Sequence, residues 1–279
     1  MKKAFTIILA VIMVLTVRAC VGIADSAMNP PLSDRGQSVT TSPAAAATEA
    51  TVRATSAEGA QAQAEHVTKG MIHAIRAAYN REDWGLVVDL ADEARAALVN
   101  HPEADQIAEL REDALAQIKE TGEAALAALN TAYDKVQKIT WYKSKSEPKY
   151  IDTTCYIYPF IGRADDGETW LRVRLNYTGD SWVFYDNVIF SVDGENSTMK
   201  FSYWDITRDN DTDVWETTVF SPSDSDINLL VSIANSTETI IRFRGSDRYY
   251  DHTVTAKEKT AILEVLAAFE YLSTVPAGQ

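Results

Sequence analysis

The densest set of potential metal ligands in the chain is Asp209-Asn210-Asp211-Thr212-Asp213. Alternate carboxylates at this spacing can converge on a hard cation such as calcium, which prefers oxygen donors. The twelve-residue calcium loop then breaks down, with Val214 where glycine is needed and Phe220 where glutamate is needed. Asp209, Asp211 and Asp213 are therefore either weak calcium ligands or the polar tip of a hairpin. Asp251-His252 near Ser246 has the residue types of nucleophilic catalysis. No Gly-x-Ser-x-Gly elbow is present, and adjacent residues on a strand face opposite ways, so a triad is not expected. His66 and His73 could share a helix face but lack a third ligand. Cys155, in the apolar run CYIYPFIG, reads as a small buried hydrophobe rather than a nucleophile. No phosphate loop, dinucleotide fingerprint or His-Glu-x-x-His occurs, so no cofactor is expected.

Two weaker binding signals remain. Arg172 and Arg174 alternate with Leu171, Val173 and Leu175, which puts both cations on the wet face of a strand. They suit neighbouring carboxylates or an anionic ligand. Trp182, Tyr185, Trp204, Trp215, Tyr249 and Tyr250 are the residue types on which sugar rings stack, although most should build a core. By alternation, Tyr185 and one of Tyr249 or Tyr250 should face solvent.

These residues need a scaffold, and the turn signals describe one. Asp166-Gly167, Gly179-Asp180 and Asp193-Gly194 separate four runs of strand periodicity, which predicts an antiparallel meander. Further strands are expected at Val214 to Phe220, Thr239 to Phe243 and Tyr249 to Val254. Ser223 with Asp226 should cap a short helix to Asn235. Thr255 with Glu258 should open a last helix carrying Ile262, Val265, Leu266, Phe269 and Leu272 on one face. That helix would cover the dry face of the meander and remove the need for a second complete sheet.

Upstream the period is helical. Val67, Met71, Ile75 and Ala78, then Trp84 to Leu98, then Ile107 to Val136 predict three helices over residues 61–139. Lys143 to Lys149 marks a joint before the β domain, residues 140–273. Residues 21–60 are rich in Ala, Ser, Thr and Pro and show almost no aromatic or large aliphatic periodicity, which predicts a disordered tether. The expected class is thus α+β: a helical hairpin or three-helix segment, then an antiparallel β-meander with a C-terminal helix packed on the sheet.

The chain of 279 residues carries a net charge of −14. Residues 61–139 hold eight basic against fourteen acidic side chains, and residues 140–279 hold thirteen against twenty-two. Neither part offers the clustered cations that nucleic acid requires. Lys2, Lys3 and the apolar run Ala4 to Val17 form an export signal across residues 1–20. Val17-Arg18-Ala19-Cys20 resembles a bacterial lipobox, with Arg18 where small or apolar residues are preferred. The resemblance implies lipidation at Cys20 and an anchor in the membrane; ordinary cleavage at a small-residue site such as Ala24 to Ala27, or an uncleaved anchor, is the alternative.

The helical segment, with Asp83-Trp84, Ala94 and Pro102, faintly resembles a tetratricopeptide hairpin in a single copy. The motif order ITWYKSKSEPKYIDTT, WLRVRLNYTGDSWVFYDNVIFSVDG and TIIRFRGSDRYYDHTVTAKEKTAILEVLAAFEYL resembles an uncharacterised β-rich C-terminal domain of exported, often lipid-anchored Gram-positive envelope proteins. The resemblance spans Ile139 to Leu272. It implies fold and location only: an exported protein on the outer face of the cytoplasmic membrane, or secreted. With no catalytic motif in the chain, the expected function is an accessory, non-catalytic binding or structural module with a protein or glycan partner; a secreted or surface glycan-binding or hydrolytic envelope protein is the alternative.

Overall fold

A computed structural model describes residues 43–274. Cys20 and the expected export signal, residues 1–20, lie outside the described residues. Three helices come first: α1 (Pro43–Asn80), α2 (Trp84–Ala94) and α3 (Ala104–Ala128). The tether expected through residue 60 is helical from Pro43 onward. PAAAATEA explains the difference, because proline suits the first helical turn and alanine is the strongest helix former. The three helices share a core of Ile72, Ile75, Val87, Val88, Leu98, Ile107 and Ile118.

Ten strands follow. They are β1 (Leu129–Asp134), β2 (Ile139–Ser144), β3 (Tyr156–Ala164), β4 (Thr169–Gly179), β5 (Asn187–Val192), β6 (Glu195–Lys200), β7 (Ile206–Asn210), β8 (Val214–Phe220), β9 (Thr239–Arg244) and β10 (Tyr249–Thr253). Helix α4 (Asp224–Asn235) precedes β9, and α5 (Ala256–Thr274) closes the described chain. The architecture is α+β as expected, with antiparallel pairing throughout and α5 packed on the first sheet. The third helix ends at Ala128 rather than near Lys138, and Leu129–Asp134 pairs with β2. The helical spacing of Leu129, Ala132 and Val136 had masked that strand.

The meander divides into two sheets. One has the order β1-β2-β3-β4-β8-β7 and the other β10-β9-β5-β6. The turn at Asp166-Gly167 is a true hairpin, and so is Asp193-Gly194, where both residues adopt the positive φ that a tight hairpin demands. Gly179-Asp180 is not a hairpin turn. Residues 180–186 instead carry the chain across to the second sheet. A side chain at Gly179 would collide with the Tyr177 hydroxyl, which donates to the Ser181 carbonyl at 2.6 Å. The dry face of β4, Leu171, Val173 and Leu175, therefore meets Val188, Phe190, Ile241 and Phe243 of the second sheet as well as Ile262, Val265 and Leu266 of α5.

Both expected capping boxes form. Ser223 and Asp226 cap α4. Thr255 and Glu258 cap α5, and Glu258 also accepts the backbone N–H of Ile157 at 3.0 Å. That contact satisfies the edge of β3 where β2 no longer reaches it. Helix α5 joins the two cores. It passes so close to α3 that a side chain on Gly122 would overlap the Tyr271 Cβ. Its far end brings Glu270 to the start of α2, where Asp83 caps Leu86. Burial, reinforced by the Asp83 and Asp89 charges, pushes the Glu270 carboxyl up to about 7 despite a hydrogen bond from Gly85. Burial likewise raises Asp83 to about 6.

A carboxyl with a raised folded-state pKa holds its proton more tightly in the native chain than in the unfolded one. Stability should then decline as pH rises from about 4.5 to about 7 and level off above it. Glu270→Gln keeps the acceptor for Gly85 and removes the charge. We expect it to exceed the wild type by on the order of 1–2 kcal/mol at pH 8 and to match it at pH 5, read by chemical denaturation. Parallel pH profiles for the two proteins would refute the assignment.

Candidate functional site

The site is built on a buried charge. Glu216 lies on β8, where Val214, Glu216, Thr218 and Phe220 share the face turned toward the second sheet. Its side chain is fully buried. One oxygen accepts the backbone N–H of Val183 and of Phe184, each at 2.7 Å, and the other accepts that of Tyr185 at 3.1 Å. Arg208, directly opposite on β7, donates Nε to the same carboxylate at 3.1 Å. The Arg208 guanidinium also donates to the carbonyls of Tyr185 and Tyr203. Burial of such a charge is tolerated when donors and opposite charge surround it, and here three crossover N–H groups and Arg208 do so.

Tied at these points, the crossover displays its side chains in a fixed way. Phe184 is held at φ 52, a left-handed conformation that costs a bulky residue about 1–2 kcal/mol. The strain turns its ring outward, 55% exposed. Trp182 stacks on that ring at 5.4 Å and 19°. Arg208 lies between the Phe184 and Tyr203 rings, at 5.9 and 4.8 Å from their centroids. Trp204 packs edge-on against Tyr203 and is 89% exposed. The turn at Gly245 locks the crossover from the other side, since any side chain there would strike the Val183 and Phe184 carbonyls.

Between the crossover and β10 opens a cleft of about 350 Å³, lined by Tyr177, Asp180, Trp182, Asp247, Arg248 and Tyr249 with their neighbours. Tyr249 faces outward beneath the Arg242 guanidinium. Tyr250 leans on Tyr177 at 5.2 Å. Aromatic faces beside a few carboxylates and one guanidinium suit a ligand with both apolar ring faces and hydroxyl groups. A second void, in the core between Ile157, Val173, Phe190 and Met199, holds only about 10 Å³, scarcely one water molecule.

The residues singled out above fall as follows. Tyr185 is fully buried and not solvent-facing. Strand alternation does not run through the crossover, and burial beside the Glu216 charge drives its hydroxyl far above the ordinary phenol range. Tyr249 and Tyr250 reach the cleft. Arg174 pairs with Glu147 at 2.7 Å, while Arg172 donates to the Ser221 hydroxyl. Both arginines lie on the outer face of the first sheet, away from Tyr185, so these three do not form one site. Asp209, Asp211 and Asp213 sit at the tip of the β7–β8 hairpin, where the Asp211 N–H closes onto the Asp213 carbonyl at 2.9 Å. Among the described residues no group of three or more His, Cys, Asp or Glu side chains is gathered to hold a metal ion. Asp251 is bidentate to Arg242, and His252 contacts Glu258, which leaves Ser246 alone. Burial pushes the Cys155 thiol up, the reverse of an activated nucleophile.

No family model, curated protein or solved structure matches the chain.

Removing the Glu216 carboxylate should strand the Arg208 charge and three backbone N–H groups. Glu216→Ala should cost about 3–5 kcal/mol in urea denaturation. A loss below about 1 kcal/mol would mean that water replaces the carboxylate without penalty.

Proposed function

We propose that this chain is a non-catalytic carbohydrate-binding protein of the cell envelope. Its ligand lies in the cleft between residues 180–184 and 247–250 and along the ridge of Trp182, Phe184, Tyr203 and Trp204. The observation that carries the reading is the strained, outward Phe184, held by hydrogen bonds to a buried carboxylate. A protein gains nothing for its own core by holding an aromatic ring in solvent at conformational cost, whereas a preformed stacking surface lowers the entropy lost on binding. Asp180, Asp247 and Arg248 supply hydrogen-bonding groups for hydroxyls beside the rings. Binding is favoured over hydrolysis because the carboxyls that burial pushes up, Asp83, Glu264 and Glu270, lie outside the cleft.

The envelope location rests on the N-terminal sequence. Export through residues 1–20 and lipidation of Cys20 would place the domain at the membrane surface, and α1 would form part of the stalk. Two acyl chains suffice for stable anchoring. Membrane fractionation of the wild type against Cys20→Ala tests this. The wild type should sediment with membranes and the variant should be released; retention of both would remove lipidation.

A glycan array followed by calorimetry tests the cleft. At least one neutral oligosaccharide should bind, and Trp182→Ala and Tyr249→Ala should each weaken it about tenfold, near 1.4 kcal/mol. Silence across the array, or equal affinity in both variants, would overturn the assignment.

A further inference from the structure

The outer face of the first sheet is a separate surface with different chemistry. Strand register sets two rows across it. Lys143, Phe160 and Arg172 lie directly side by side on β2, β3 and β4, and so do Trp141, Gly162 and Trp170. The Trp170 indole lies over Gly162, where a side chain would collide with it. Trp141 packs edge-on against Trp170 at 5.9 Å and tilts against Phe160 at 5.7 Å. Both indoles stay partly exposed. The Lys143 ammonium sits 5.4 Å from the Phe160 ring centre, and the Arg174 guanidinium sits at the same distance.

The charges on this face are not all balanced. Arg174 is compensated by Glu147. Lys143 has the Phe160 ring and Arg172 the neutral Ser221 hydroxyl; among the described residues neither forms an ion pair with a carboxylate. What sets these two cations apart is their placement, on either side of an aromatic row on one sheet face. They stand two strands apart, about 10 Å across the sheet.

We propose that this face binds an anionic polysaccharide, with neutral ring faces on Trp141 and Trp170 and acidic groups at Lys143 and Arg172. Nucleic acid fits less well. It carries a phosphate at every nucleotide and calls for a denser set of cations than these two. The proposal does not depend on the cleft, which lies at the other side of β4 between the two sheets.

Calorimetry of the full chain with dextran sulfate, unsulfated dextran and poly(dT) tests it. Dextran sulfate should bind, weakening as salt rises, and dextran should not. Lys143→Gln/Arg172→Gln should weaken dextran sulfate at least tenfold, as should Trp141→Ala/Trp170→Ala. Trp182→Ala should leave it unchanged. The glutamine pair changes two partly exposed side chains outside the core and removes no ion pair, so it decides the matter even if the tryptophan pair fails to fold. No binding of dextran sulfate, binding that survives the glutamine pair, or tighter binding of poly(dT) would each overturn the proposal.

Discussion

A single desolvated carboxylate, Glu216, sets the relation between the two sheets. Burying an ionised group is tolerable only when opposite charge and hydrogen-bond donors surround it. Arg208 supplies the charge from the neighbouring strand, and the N–H groups of Val183, Phe184 and Tyr185 supply the rest. Those three N–H groups belong to the segment that leaves the first sheet. Without that acceptor they would have no ladder to join, because residues 180–185 lie between the strands, and the chain meets the second sheet only at Asp186, whose N–H donates to the Arg244 carbonyl. The crossover and the ion pair are therefore mutually required. Once the crossover is fixed, β5 can enter the second sheet, Val188 and Phe190 face Leu171, Val173 and Leu175, and α5 closes the remaining side of the core.

The same arrangement explains the exposed aromatics. Val183 and Tyr185 point inward and anchor the crossover, which leaves Trp182 and Phe184 outside. Phe184 accepts an unfavourable backbone conformation because its own N–H and that of Tyr185, on either side of its Cα, both bond the Glu216 carboxylate. Arg208 serves both sides. Its inner nitrogens satisfy Glu216 and the Tyr185 carbonyl, and its flat face supports Phe184 and Tyr203. An arginine can do this where a lysine cannot, since only a planar guanidinium both forks its donors and stacks. The aromatic ridge is thus continuous with the core.

What the sequence revealed followed the range of the interactions. Asp166-Gly167, Asp193-Gly194 and the capping pairs Ser223–Asp226 and Thr255–Glu258 act within a few residues, and each does what its spacing implies. Gly179-Asp180 has the same local signature but serves a close approach to Tyr177, which no local pattern encodes. Glu216 was invisible for a related reason. A charge alternating with Val214 and Thr218 reads as part of a wet face, and its three backbone donors lie more than thirty residues upstream. Tyr185 was misplaced by extending strand alternation through a segment that is not a strand. Arg172 and Arg174 were correctly read as one outer face, yet the indoles beside them come from β2 and the start of β4, and only the register joins them.

Amide hydrogen exchange at Val183, Phe184 and Tyr185 tests the central role of Glu216 most directly. These amides sit in a non-strand segment at the surface-facing end of the core. If the buried carboxylate holds them, they should exchange only through global unfolding, as slowly as the β4 and β8 ladder amides. Exchange at the rate of an ordinary exposed loop, in a protein whose β4 and β8 amides remain protected, would contradict the account.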